Sequence, residues 1–186
     1  MGQDAASRHL QACEGFSTVV AQVGDRWSAP TPCPQWDVRG IVEHVIGFHD
    51  VLLLRPLWMK PERPKADPVA RWAVTVSAIA SALDLTNRGA VVSVPGMANM
   101  TLAKLLPMLT TDVVVHTWDL AVAVGTPPTL HPKLCASAYE TALNNEQTME
   151  SSGMFGPPVP VPEDADIVSK LVALLGRDPQ WRRPRP

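Results

Sequence analysis

Three residues spaced along one stretch, Asp112, His116 and Asp119, are of types that do chemistry. If the stretch is helical, at about 100° per residue, Asp112 and His116 lie about 40° apart and Asp119 about 20° to the other side of Asp112. A carboxylate and an imidazole four residues apart can chelate one metal ion without bending a helix. A hydrogen bond between them on the helix surface is the other reading that the spacing leaves open. Leu102, Leu106, Leu109, Val113, Leu120 and Val124 form an apolar stripe centred about 90° round from Asp112, which puts the polar trio at the edge of a core. A second stretch offers His44 at the edge of its apolar stripe, near Ile41 and Phe48, and His49 inside its own, near Val42 and Val45. Periodicity does not choose between them, although a buried histidine bonded to a backbone carbonyl is the ordinary reading of His49. His9 and His131 show no partner and are expected at the surface. Cys33, between Pro32 and Pro34, reads as a structural thiol more than a reactive one. No glycine-rich phosphate loop and no nucleophile elbow is present.

The elements that must position these residues are helices separated by proline clusters, since proline inside a helix loses a hydrogen bond and clashes with the preceding turn. Helices are expected over about 5–23, from 38 to about 54 with Asp37 as N-cap, and from Pro68 to about Leu85 with Asp67 as N-cap. A fourth opens at Thr101 and stops at Gly125. A fifth follows Pro132 to about Met149, and a short one runs from about Asp164 to Leu175, stopped by Gly176. Pro107 lies within the fourth; a kink there, or a later helix start, follows. The β-branched run from Ala90 to Val94 reads as one strand or an extended linker. Four long helices with short proline-rich connections predict an all-α antiparallel bundle with short extra helices, in a single domain of residues 1–186.

Bulk properties narrow the function. With 46% hydrophobic and 18% charged residues the 186-residue chain is a folded globular protein. A net charge of -2 offers no electrostatic case for nucleic acid or an anionic membrane. Three cysteines, Cys13, Cys33 and Cys135, do not make a disulfide framework and imply a reducing cytoplasm. The N-terminus lacks the basic and apolar regions of a signal peptide, and no apolar run is long enough to span a bilayer.

Two long motifs resemble a known family. Trp27, the run Pro30-Thr31-Pro32-Cys33-Pro34-Gln35-Trp36-Asp37-Val38-Arg39, and Val42-Glu43-His44-Val45 resemble the actinobacterial DinB-like metalloenzymes, related to the mycothiol-dependent maleylpyruvate isomerase metal-binding domain. Thr111-Asp112-Val113-Val114-Val115-His116-Thr117-Trp118-Asp119-Leu120-Ala121 resembles the family's second motif, and the tail from Phe155 to Pro162 and from Leu174 to Trp181 has the family's look. The resemblance implies a DinB-like four-helix bundle with one divalent metal ion held by His44, Asp112 and His116, and so prefers His44 to His49. The acidic ligand in the isomerase is Glu; Asp112 is one methylene shorter, which draws the metal toward the fourth helix. An Arg that relatives often carry is Val122 here.

Three protein ligands leave coordination positions open, the pattern of a reactive site. A metal there lowers the pKa of a bound water or thiol. The expected function is a mycothiol-dependent metalloenzyme that activates a thiol (or water) for S-transfer to, or isomerisation of, a small electrophile; the alternative is a non-catalytic metal or small-ligand binding protein of the same fold. The expected metal is zinc, with nickel or iron as the other options, and mycothiol is the cosubstrate. Asp119, from the shared stripe, and Arg39, five residues before His44, are expected to hold the ligands from behind. The expected partners are a small-molecule thiol and an electrophile, with neither nucleic acid nor membrane, and a homodimer is left open.

Overall fold

The computed structural model describes residues 4–85, 91–93, 99–145 and 155–184. Among these, six α-helices carry the fold: α1 (Ala5–Val20), α2 (Val38–His49), α3 (Pro68–Leu85), α4 (Leu102–Val124), α5 (Pro132–Asn144) and α6 (Ile167–Leu174). The fold is all-α and DinB-like. Val91–Val92 pairs antiparallel with Met100–Thr101 as a two-stranded ribbon, so the strand reading of the β-branched run holds for Val91 and Val92. Ala90, Val94 and the expected extension of the fifth helix to Met149 lie outside the described residues.

Most helix starts follow from their caps, although Thr101 opens α4 without a side-chain cap hydrogen bond. Asp37 accepts from Gly40 N at 2.7 Å, and Asp67 accepts from Val69 N and Ala70 N at 2.9 and 3.1 Å. His131, exposed as expected, does have a partner: its Nδ1 accepts from Lys133 N at 3.3 Å and caps α5. Gly125 (φ +74°) and Gly176 (φ +80°) end α4 and α6 in the left-handed conformation. Three boundaries differ from expectation. Helix α1 stops at Val20, α6 starts at Ile167 with Asp166 as N-cap, and α2 is α-helical only to His49 and continues to Leu54 as a π-helical turn closed by Arg55 N donating to Asp50 O at 2.9 Å. Pro107 lies inside α4 after all, and Ala103, whose carbonyl it leaves unpaired within the helix, is exposed.

The four long helices close into a ring in which α1 packs on α4, α4 on α2, α2 on α3 and α3 on α1. Helix α5 lies on α4 from outside, and α6 lies on α5 and α4. One consequence corrects the sequence reading. Every residue of α4 from Leu109 to Ala121 is buried, because α5, α6 and the C-terminal segment cover the face that a helical wheel would give to solvent. Asp112, His116 and Asp119 are therefore not at the edge of the core but inside it, 5%, 2% and 0% exposed. His9, expected at the surface, is also fully buried. It shares the buried stripe of α1 with Ala12, Cys13 and Phe16, at helical spacing.

Candidate metal centre

Helices α2 and α4 bring His44, Asp112 and His116 together. His44 Nε2 lies 3.2 Å from Asp112 Oδ1, and His116 Nε2 lies 3.5 Å from the same oxygen. One ligand atom from each of the three lies within 4.8 Å of the others. Exposure falls from His44, whose side chain is 21% exposed, to Asp112 at 7% and His116 at 2%, so the cluster meets solvent on the α2 side.

The two histidines are held from behind. His116 Nδ1 donates to Asp119 Oδ2 at 2.9 Å. Asp119 in turn accepts from Arg177 Nη2 at 3.0 Å and from Arg177 Nε at 3.3 Å, and Arg177 Nη1 donates to Leu175 O at 2.7 Å. Arg177 is 5% exposed and its guanidinium lies over the Phe155 ring at 5.6 Å. His44 is held between two rings, stacked on Trp36 at 4.2 Å and on Phe48 at 5.4 Å. Trp36 reaches it across the first turn of α2 because residue 40 is glycine: a Cβ there would sit 3.0 Å from Trp36 Cβ and 3.3 Å from its Cδ1.

Arg39, expected behind the ligands, instead lays its guanidinium over the Trp27 ring at 5.5 Å from an exposed position. The guanidinium on Asp119 comes from Arg177, 58 residues along the chain. No helical spacing links those two positions. The only local signal for Arg177 is its place directly after the left-handed Gly176 that ends α6. His49 is fully buried, with Nδ1 donating to Val45 O at 2.7 Å, the ordinary arrangement for its stripe position. Cys33 is buried in the turn before α2; burial pushes its thiol up, which agrees with a structural role.

The electrostatics favour a cation in the cluster. Burial works against ionising Asp112, but His116 and His44 outweigh it and hold the carboxyl well below the usual range. Burial likewise works against protonated His116, but Asp112 and Asp119 outweigh it and raise its pKa. The proton on His116 Nδ1 is committed to Asp119, so a neutral His116 turns its Nε2 lone pair toward the Asp112 carboxylate. That contact is repulsive unless a positive charge, proton or metal ion, lies between. Asp112 Oδ2 is buried with no hydrogen-bond partner among the described residues, which is costly for a carboxylate oxygen unless something else coordinates it. Two imidazoles and a carboxylate, with His116 backed by its own carboxylate, fit zinc and other borderline divalent ions.

The family model for the mycothiol maleylpyruvate isomerase N-terminal domain matches residues 9–121, more than half of the chain. The chain belongs to the mycothiol maleylpyruvate isomerase N-terminal domain family. His44, Asp112 and His116 all fall inside the matched span, as do Trp36 and Asp119, whereas Arg177 falls outside it. Two proteins of Mycobacterium tuberculosis, one from strain CDC 1551 / Oshkosh and one from strain ATCC 25618 / H37Rv, are each 29% identical over 94% of this chain and 98% of their own length. Both carry the description "uncharacterized protein". No solved structure matches the chain. Among the described residues, no helix is long and apolar enough to cross a membrane.

Proposed function

We propose that this protein is a mycothiol-dependent metalloenzyme, with His44, Asp112 and His116 holding one divalent ion, zinc in the first instance and nickel or iron as the other options. The observation that carries the reading is the convergence of two imidazole Nε2 atoms on Asp112 Oδ1, with the second Asp112 oxygen buried and unpaired. A divalent ion bound there supplies the Lewis acidity that lowers the pKa of a coordinated thiol or water. The chain's own residues prepare the site. Asp119, clamped by Arg177, keeps the proton of His116 on Nδ1 and leaves Nε2 free as a donor. Trp36 and Phe48 fix the plane of His44. Trp36, half-buried and in edge contact with His116 at 5.7 Å, walls the solvent-facing side, where a small thiol and its electrophile would approach. The reaction is S-transfer to, or thiol-assisted isomerisation of, a small electrophile; membership of the family does not by itself transfer a substrate.

The test is turnover of a panel of electrophiles with mycothiol, using wild type and His116→Ala with the metal content of each measured. Turnover that needs both mycothiol and His116 is the expected result. Equal activity in the two proteins contradicts the reading. No activity in wild type with metal bound moves the protein to the non-catalytic metal-binding class.

A further inference from the structure

A second group of ligand-type side chains lies inside the ring of helices and plays no part in the centre described above. His9 and Cys13 stand four residues apart on α1, and His49 closes the group from the last turn of α2. All three are fully buried. His9 Nε2 lies 3.1 Å from His49 Nε2 and 3.8 Å from Cys13 Sγ, and one ligand atom from each lies within 4.8 Å of the others. Helices α1 and α2 are not neighbours in the ring, so the group spans its diagonal.

The nitrogens facing away from the group are both engaged. His49 Nδ1 sits 2.7 Å from Val45 O, a carbonyl that can only accept, so Nδ1 carries the proton and Nε2 presents a lone pair. His9 Nδ1 sits 3.1 Å from Thr110 Oγ1, whose hydroxyl is also 2.7 Å from Leu106 O. When that hydroxyl donates to Leu106, its oxygen accepts from His9 Nδ1–H, and both Nε2 lone pairs then point into the same space as Cys13 Sγ. Backbone carbonyls and hydroxyls behind imidazoles are how proteins orient histidine ligands.

We propose that His9, Cys13 and His49 form a second metal site, for a thiolate-seeking closed-shell ion, zinc(II) or copper(I), which ties α1 to α2 across the core. Two imidazoles and one thiolate are the soft-to-borderline set that such ions select. With metal–nitrogen and metal–sulfur distances of about 2.05 and 2.3 Å, tetrahedral angles place nitrogens about 3.3 Å apart and nitrogen from sulfur about 3.6 Å. The separations of 3.1 and 3.8 Å differ from these by a few tenths of an ångström. Binding balances as a proton exchange. The Thr110 hydroxyl donates to Leu106 O, so its oxygen is free to accept from His9 Nδ1–H, and neither histidine has to lose a proton to bind the metal. On binding, Cys13 releases its S–H proton to solvent as its sulfur bonds the metal. Burial pushes the Cys13 thiol up to about 12, so without a metal it stays protonated at neutral pH.

The experiment is titration of the metal-free, reduced full-length protein with cobalt(II) as a stand-in for zinc, and separately with copper(I) held by a competing chelator. The near-ultraviolet thiolate-to-metal absorption is the readout. Wild type and His116→Ala should develop that band with at least one of the two ions, and the ion that produces it identifies the class. Cys13→Ser and His9→Gln, checked for fold by circular dichroism, should lack it and bind one equivalent fewer. X-ray absorption of the loaded wild type, which needs no variant, should show a sulfur at about 2.3 Å. Absence of the band with both ions in wild type, or its survival in Cys13→Ser, overturns the proposal. His116→Ala reports on the His44 centre separately, because the three ligands proposed there include no sulfur.

Discussion

Asp119, fully buried, faces two cationic or donor groups at once, the Nδ1–H of His116 and the guanidinium of Arg177, both buried themselves. Burial raises its pKa, but His116 and Arg177 outweigh that and hold the carboxyl below its usual range. Removing such a carboxylate strands a buried charge. Asp119→Ala is therefore expected to cost about 3–5 kcal/mol in urea unfolding. Asp119→Asn, which keeps shape and one acceptor, is expected to weaken metal binding about 10–100-fold, read by chelator competition. A loss for Asp119→Ala within about 0.5 kcal/mol would mean that the clamp is not made in solution. Part of this was legible in the sequence, because Asp112, His116 and Asp119 share one helical stripe. Arg177 was not, since its contact depends on how α6 and the tail dock. His9 could have been found: it stands three, four and seven residues before Ala12, Cys13 and Phe16, and that stripe would have placed it inside.

At the scale of elements, two glycines and one cap transmit position to the site. Gly176 holds φ +80°, and a Cβ there would lie 2.7 Å from Gly156 Cα and O. Gly176→Ala is expected to lower stability by at least about 1–3 kcal/mol from backbone strain, and to weaken metal binding as Arg177 shifts off Asp119. Gly40→Ala sets a Cβ 3.0 Å from Trp36 Cβ, so the Trp36 side chain must give by a few tenths of an ångström in its stack on His44; an overpacking cost of about 1–3 kcal/mol is expected, with a change in tryptophan emission. Unchanged melting temperature and emission would remove residue 40 as the reason Trp36 can stack. Asp166 caps α6 by accepting from Val168 N and Ser169 N at 2.9 and 3.0 Å and from Ser169 Oγ at 2.7 Å. The hydrogen bonds from Ser169 lower its pKa, so its stabilising share is present above the unfolded carboxyl value of about 3.9 and is lost as pH falls through the lower folded value. Asp166→Ala should cost about 1 kcal/mol at neutral pH and nothing well below pH 3, measured by denaturation at both. An equal cost at the two pH values would contradict the cap. The caps and stops were readable because they are local: Asp37, Asp67, Gly125 and Gly176 act within one turn. The π-helical end of α2 was not, because the apolar run Val51–Leu54 continues the pattern without marking the change in hydrogen bonding.

For the molecule as a whole, the wheel of α4 misled where burial is decided by distant segments. Its polar trio was readable as a stripe, but not that His44, Trp36 and Arg177 close over it, and that enclosure is what makes the charges of Asp112 and His116 matter. The choice of His44 over His49 rested on family resemblance. Geometry gives a physical reason beside it, because His44 reaches Asp112 while His49 turns to Val45 and His9. Metal binding by His44, Asp112 and His116 is tested by anomalous diffraction from zinc-loaded crystals. A peak is expected about 2.0–2.2 Å from His44 Nε2, His116 Nε2 and an Asp112 carboxylate oxygen, absent in His116→Ala crystals treated alike. Loaded wild-type crystals with no peak among these three side chains, and His44 and His116 still hydrogen-bonded to Asp112, would contradict it.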